Sequence, residues 1–140
     1  LVPSALRAPV RLTAGVRPYE MQSSARKQLQ ELTAIFPAFQ EAWNAEANCN
    51  RNDDDSFSLA GLWAEFSDYF AALPKTPKPE QLQSLASLVN SSISAGQTDE
   101  AASVSACFLE NVAGCVRANE LKAHLATQAL SIIERWEPSK

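Results

Sequence analysis

Three consecutive aspartates, Asp53, Asp54 and Asp55, follow a polar stretch and stand just before a strongly apolar one. Neighbouring carboxylates could bind a metal ion, perform acid–base catalysis, attract a basic partner or cap a helix. A calcium-binding EF-hand loop needs glycine at its sixth position and glutamate at its twelfth. Counted from Asp53, those positions hold Ser58 and Ala64. The spacing does not predict a calcium site, and no metal or other cofactor is expected.

Catalysis has equally little support in the sequence. Acid–base chemistry needs two carboxyl groups whose surroundings separate their pKa values, whereas adjacent aspartates in a polar loop stay ionised and exposed. The sequence contains no GxxxxGK[ST], GxGxxG or GxSxG motif. Its one histidine, His124, has no second histidine or cysteine nearby in sequence for a zinc site or a Cys–His pair. We expect a protein that is not an enzyme.

Negative charge is concentrated in one segment. Residues 41–70 contain seven acidic side chains and one arginine, a net charge of −6, in a chain whose net charge is −4, so the other 110 residues carry +2. Capping of the next helix by Asp55 or Ser56 would account for one or two acids. A basic partner would relieve the remaining repulsion and associate rapidly. Two interpretations stay open, a solvated loop and a partner-binding surface that contains Asp53, Asp54, Asp55, Glu65 and Asp68.

Charge and cysteine usage also indicate the class of partner and the compartment. Nucleic-acid binding needs clustered lysine and arginine, and no apolar run approaches the roughly 20 residues of a membrane span, so we expect a protein partner. The three cysteines are an odd number without CxxC spacing and are predicted to be reduced thiols in a cytoplasmic protein. Cys107 and Cys115 are predicted to lie on one helix, about 12 Å apart, beyond the reach of a disulfide. The oligomeric state stays open.

The elements that must position these residues are predicted to be helices. Glycine and β-branched runs are scarce, and apolar residues recur at helical spacing after residue 22. Helices are predicted at about 22–35, from about 37, and at about 57–73, 80–95, 99–116 and 118–136, with a loop over 48–56. The predicted fold is all-α, a compact array of five to six antiparallel helices centred on the third.

The predicted domain comprises residues 21–140. Residues 1–20 contain three prolines and three arginines, no acid before Glu20 and no helical apolar period. We interpret this stretch as a non-native or flexible N-terminal extension.

Aromatic residues share the acidic third of the chain. Eight of them fall within residues 36–70, most at the spacing of one helical stripe, which predicts a core role. Trp63 and Tyr69 lie at the edges of that stripe. They have a second interpretation as exposed anchors at an interface, where such residues often dominate affinity.

Three stretches carry a family resemblance: IFPAFQEAWN at 35–44, LAGLWAEFSDYF at 59–70 and ACFLENVAG at 106–114. Their order resembles that of a family of small helical bacterial proteins of unknown function, which are similar to candidate immunity proteins encoded beside polymorphic toxins. The resemblance covers about residues 30–117 and implies no catalytic residue. Glu110 and Asn111 match its Phe-Leu-Glu-Asn element, where a local helix-surface or capping role is an equal alternative.

These observations lead to one leading hypothesis and one alternative. The leading hypothesis is a non-enzymatic bacterial binding protein, an immunity-type inhibitor whose acidic surface docks on a basic toxin. The alternative is a helical scaffold or adaptor, which could act as a homodimer.

Overall fold

The computed structural model describes the backbone of residues 18–96 and 98–138, and the side chains from residue 24 within those ranges. Every regular element in this part of the chain is a helix, which confirms the all-α class. The described ranges contain seven helices: α1 (Pro18–Ile35), α2 (Phe39–Asn44), α3 (Leu59–Ala71), α4 (Pro79–Ser94), α5 (99–112), α6 (Val116–Lys122) and α7 (Thr127–Arg135). The predicted extension over 1–20 lies outside the described residues except at 18–20, which already belong to α1.

Helix α5 changes its winding along its length. Asp99–Ser103 and Glu110–Val112 are α-helical, and Val104–Leu109 between them is a π-helix. In an α-helix, side chains five residues apart point about 140° away from each other. The wider π turn brings them closer, so Val104 and Leu109 can both be fully buried. The π segment therefore keeps the apolar side chains of α5 on one inward face.

The predicted helix over 99–116 ends earlier, at Val112. Gly114 has a positive φ of 89°, and a Cβ at this position would lie 2.6 Å from Cδ of Pro138. The turn therefore needs glycine for both its conformation and its close packing. Cys107 and Cys115 consequently do not lie on one helix, contrary to the prediction: Cys115 is the N-cap of α6, and its Sγ accepts from the Ala118 N–H at 3.4 Å.

The predicted helix over 118–136 is two helices, α6 and α7, although no glycine or proline separates them. Asn90 of α4 bonds to the backbone at the corner: its Oδ1 accepts from the Ala126 N–H at 2.9 Å, and its Nδ2 donates to the His124 carbonyl at 3.4 Å. Leu125 between them is buried. A side chain from another helix therefore satisfies the backbone groups freed at this break.

Helices α1 and α3 run in the same direction. Gln28 of α1 contacts Trp63 near the beginning of α3, and Phe36, just after α1, contacts Phe66 and Phe70 near its end. The short helix α2 and the loop over 45–58 carry the chain back before α3 begins. The array is therefore not antiparallel throughout.

Helix α4 runs antiparallel to α1, as predicted. Gln81 near its beginning donates to the carbonyl of Ile35 at the end of α1, and Ser92 near its end accepts from Gln28. Within the described residues, no helix is long and apolar enough to cross a membrane.

Helix α3 occupies the centre of the array, as the sequence predicts, and packs against α1, α2, α5 and α6. Its aromatic residue Phe66 is completely buried. The ring centroids of five other aromatic residues lie between 5.1 and 5.9 Å from that of Phe66, those of Phe36, Phe39, Trp63, Phe70 and Phe108. Most of these pairs are tilted or edge-on, and such pairs stabilise a core beyond the area that they bury.

Two buried side-chain hydrogen bonds connect helices α1, α3 and α4. The Trp63 Nε1–H donates to Oε1 of Gln28 at 2.7 Å, and Nε2 of Gln28 donates to Oγ of Ser92 at 3.1 Å. All three residues are at most 4% exposed. Since buried polar groups need hydrogen-bond partners, these two hydrogen bonds fix α1 against both α3 and α4.

We predict that Gln28→Met lowers the free energy of unfolding by about 1–3 kcal/mol, because the indole N–H of Trp63 then has no acceptor. Gln30→Met, at an exposed position on the same helix, is the matched control and should change stability by less than about 0.5 kcal/mol. Urea unfolding followed by circular dichroism measures both. Equal stability of the two variants would show that the buried amide contributes nothing specific.

Candidate protein-binding surface

The loop between α2 and α3 is anchored by Asn48, which is only 5% exposed. Its Nδ2 donates to the carbonyl of Trp43 at the end of α2 at 2.8 Å, and its Oδ1 accepts from the backbone N–H of Asn50 at 2.9 Å. A buried amide with both ends bonded holds the beginning of the loop in one conformation.

Arg51, the one cationic residue of segment 41–70, is bound within that segment. Its Nε and Nη2 donate to the carbonyls of Trp43 and Asn44 at 3.2 and 3.0 Å, and its Nη1 donates to Oδ1 of Asp55 at 3.0 Å. The carbonyls at a helix C-terminus attract cations. Because the side chain of Asp55 is 72% exposed, its ion pair with Arg51 contributes at most about 1 kcal/mol.

The three aspartates form a tight turn. Asp55 has a positive φ of 66°, and its N–H donates to the carbonyl of Asn52 at 2.9 Å. Oδ1 of Asp54 accepts from the hydroxyl and the backbone N–H of Ser56 at 2.6 and 3.0 Å. These two bonds to Ser56, the hydroxyl bond first, lower the pKa of Asp54 below its usual value. Asp54 therefore stays ionised while it shapes the turn.

The predicted N-cap of α3 is wrong. Neither Asp55 nor Ser56 caps the helix: Ser58 does, and its Oγ accepts from the N–H of Gly61 at 2.9 Å. The turn over 52–56 moves the aspartates away from the first helical residue. Helix capping consequently does not explain why the three acids stand together.

The structure brings the loop beside α3 through one polar contact. Nδ2 of Asn50 donates to Oε1 of Glu65, which is partly buried, at 3.1 Å. Asp68 is exposed and lies about one turn further along the same helix. We call the five predicted acids the acidic face, a name that covers two places: Asp53, Asp54 and Asp55 in the turn, and Glu65 and Asp68 on α3. Among the described residues, Asp55 is the one member of this face that forms an ion pair.

The two aromatic candidates differ from each other in exposure. Trp63 is completely buried, so the expectation that it stands exposed at an interface is wrong. It is enclosed because Gln28 takes its N–H and Phe108 of the π segment packs 5.4 Å from its ring. Tyr69 is partly buried against Phe39, at 5.2 Å between centroids, and burial raises its pKa.

Asn50 and Arg51 each bind one member of the acidic face, Glu65 and Asp55 respectively, and the sequence analysis did not identify them as site residues. Neither belongs to a motif, and the bonds that give them this role connect them to Glu65 and to the end of α2. For Arg51, there was one indication in the sequence: it is the one cationic residue among seven acids in segment 41–70, so an ion pair within the segment could be expected.

The Phe-Leu-Glu-Asn element has a structural role in this fold. Nδ2 of Asn111 donates to the carbonyl of Cys107 at 2.8 Å and lies 3.4 Å from Oγ of Ser67, which connects α5 to α3.

Burial and, to a smaller extent, the charge of Glu110 raise the pKa of the Cys107 thiol. A raised pKa makes this thiol less reactive.

Other places in the described residues offer less chemistry. No group of three or more His, Cys, Asp or Glu side chains in that part of the chain could hold a metal ion. A cleft of about 440 Å³ between α4 and α7 is lined by serine, asparagine, glutamine and alanine side chains, among them Ser87, Ser91 and Gln128. None of these side chains is an acid or a base, so the cleft brings no catalytic pair together.

Comparison with protein-family models, with curated proteins and with solved structures finds no match to this chain. The resemblance to candidate immunity proteins therefore has no support from these comparisons.

We predict that Asp55→Gly is more stable than Asp55→Ala by about 1 kcal/mol. Both variants lose the ion pair with Arg51, so their difference reports the backbone cost of a positive φ in alanine, less the larger unfolded-state entropy of glycine. Urea unfolding of the two variants measures this difference. If they unfold at the same urea concentration, residue 55 does not hold the left-handed conformation on which this loop geometry depends.

Proposed function

We propose that this chain is a non-enzymatic binding domain whose acidic face docks on a basic surface of a protein partner. The supporting observation is the state of the charges. Asp53, Asp54 and Asp68 are exposed, no ion pair neutralises them within the described residues, and the nearby Arg51 is bound to carbonyls and to Asp55. Exposed charges of one sign attract a partner of the opposite sign and accelerate its association.

The fixed conformation of the loop also favours this proposal. Asn48 holds its beginning, and Arg51 links the end of α2 to Asp55. A surface that is already ordered loses little conformational entropy when a partner binds, so more of the interaction energy remains as affinity. Binding of this kind would inhibit a partner by covering its basic surface, without any chemical step.

The exposed acids and the ordered loop, together with the sequence resemblance, favour one specific form of the proposal. In this form the chain is an immunity-type inhibitor of a basic toxin domain. The alternative, a homodimeric scaffold that buries aromatic residues between copies, gains little from α3. Of the four aromatic side chains on this helix, Trp63, Phe66 and Phe70 are already covered within one chain, and Tyr69 is partly buried.

We predict that the triple variant Asp53→Asn, Asp54→Asn and Asp55→Asn binds an oligolysine peptide about tenfold more weakly at low ionic strength, since three opposing charges are lost. Asparagine keeps an acceptor at position 54 and tolerates the positive φ at 55. Added salt should shrink the difference from the unmodified chain, because it screens exposed charges. Isothermal titration calorimetry over a salt series measures both effects.

The matched control removes three acids outside segment 41–70, with Glu31→Gln, Glu80→Gln and Glu134→Gln in one chain. It changes the net charge by the same amount and should weaken binding by less than about twofold, because these residues lie apart in the sequence and on three different helices. Equal losses in the two triple variants would mean that the peptide senses net charge alone, and the acidic face would lose its role.

The immunity-type form has its own test. We expect an open reading frame next to this gene to encode a basic toxic domain, and co-expression of this chain to restore growth of cells that produce it. The triple asparagine variant should protect less well than the control variant at equal expression. Protection that is equally strong with both variants would refute docking through the acidic face, and a neighbouring frame without toxicity would refute the immunity role.

A further inference from the structure

We draw no further inference here: the strongest candidate, the exposed apolar pair Val116 and Trp136 at the end of the helical array where Pro138 packs on Gly114, carries nothing, because no feature of the described residues shows what covers it.

Discussion

The enclosure of helix α3 is the constraint on which the rest of the structure depends. Leu59, Leu62, Trp63, Phe66 and Phe70 form one apolar stripe along α3, all of them are buried, and more than one neighbouring helix contributes to covering them. Helices α1, α2, α5 and α6 pack against α3. The π segment of α5 and the parallel direction of α1 are local features of that packing. Exposed positions on α3 are consequently few, and Asp68 is the one acid among them.

The same constraint explains why the aromatic and acidic residues overlap in the sequence. Burying an unpaired carboxylate costs far more than leaving it in water, so the acids near this apolar helix must occupy its outer face or the loop before it. The loop then needs its own polar anchors, which Asn48 and Arg51 supply. In this arrangement Arg51, the one cation of the segment, holds the loop and pairs with Asp55, and Asp53, Asp54 and Asp68 remain exposed without an ion pair in the described part of the chain.

The sequence predicted the parts of the fold that depend on local patterns. The stripe over 59–70 predicted both α3 and its central position, and the prolines after it predicted the next boundary. Local sequence patterns did not predict the break before α7, because the groups that stabilise that break belong to Asn90, in another helix. The exposure of Asp53, Asp54, Asp55 and Asp68 was predictable from their charge alone. The burial of Trp63 was not, because it depends on Gln28 and Phe108, which lie 35 and 45 positions away in the sequence.

The most direct test of the account is the location of cationic contacts on the folded chain. Amide chemical shifts of the isotope-labelled protein, followed by nuclear magnetic resonance as an oligolysine peptide is added, report that location residue by residue. The account predicts that the perturbed amides cluster over 50–56 and around Glu65 and Asp68. Perturbations spread over the whole surface, or centred on the acids of other helices, would contradict it.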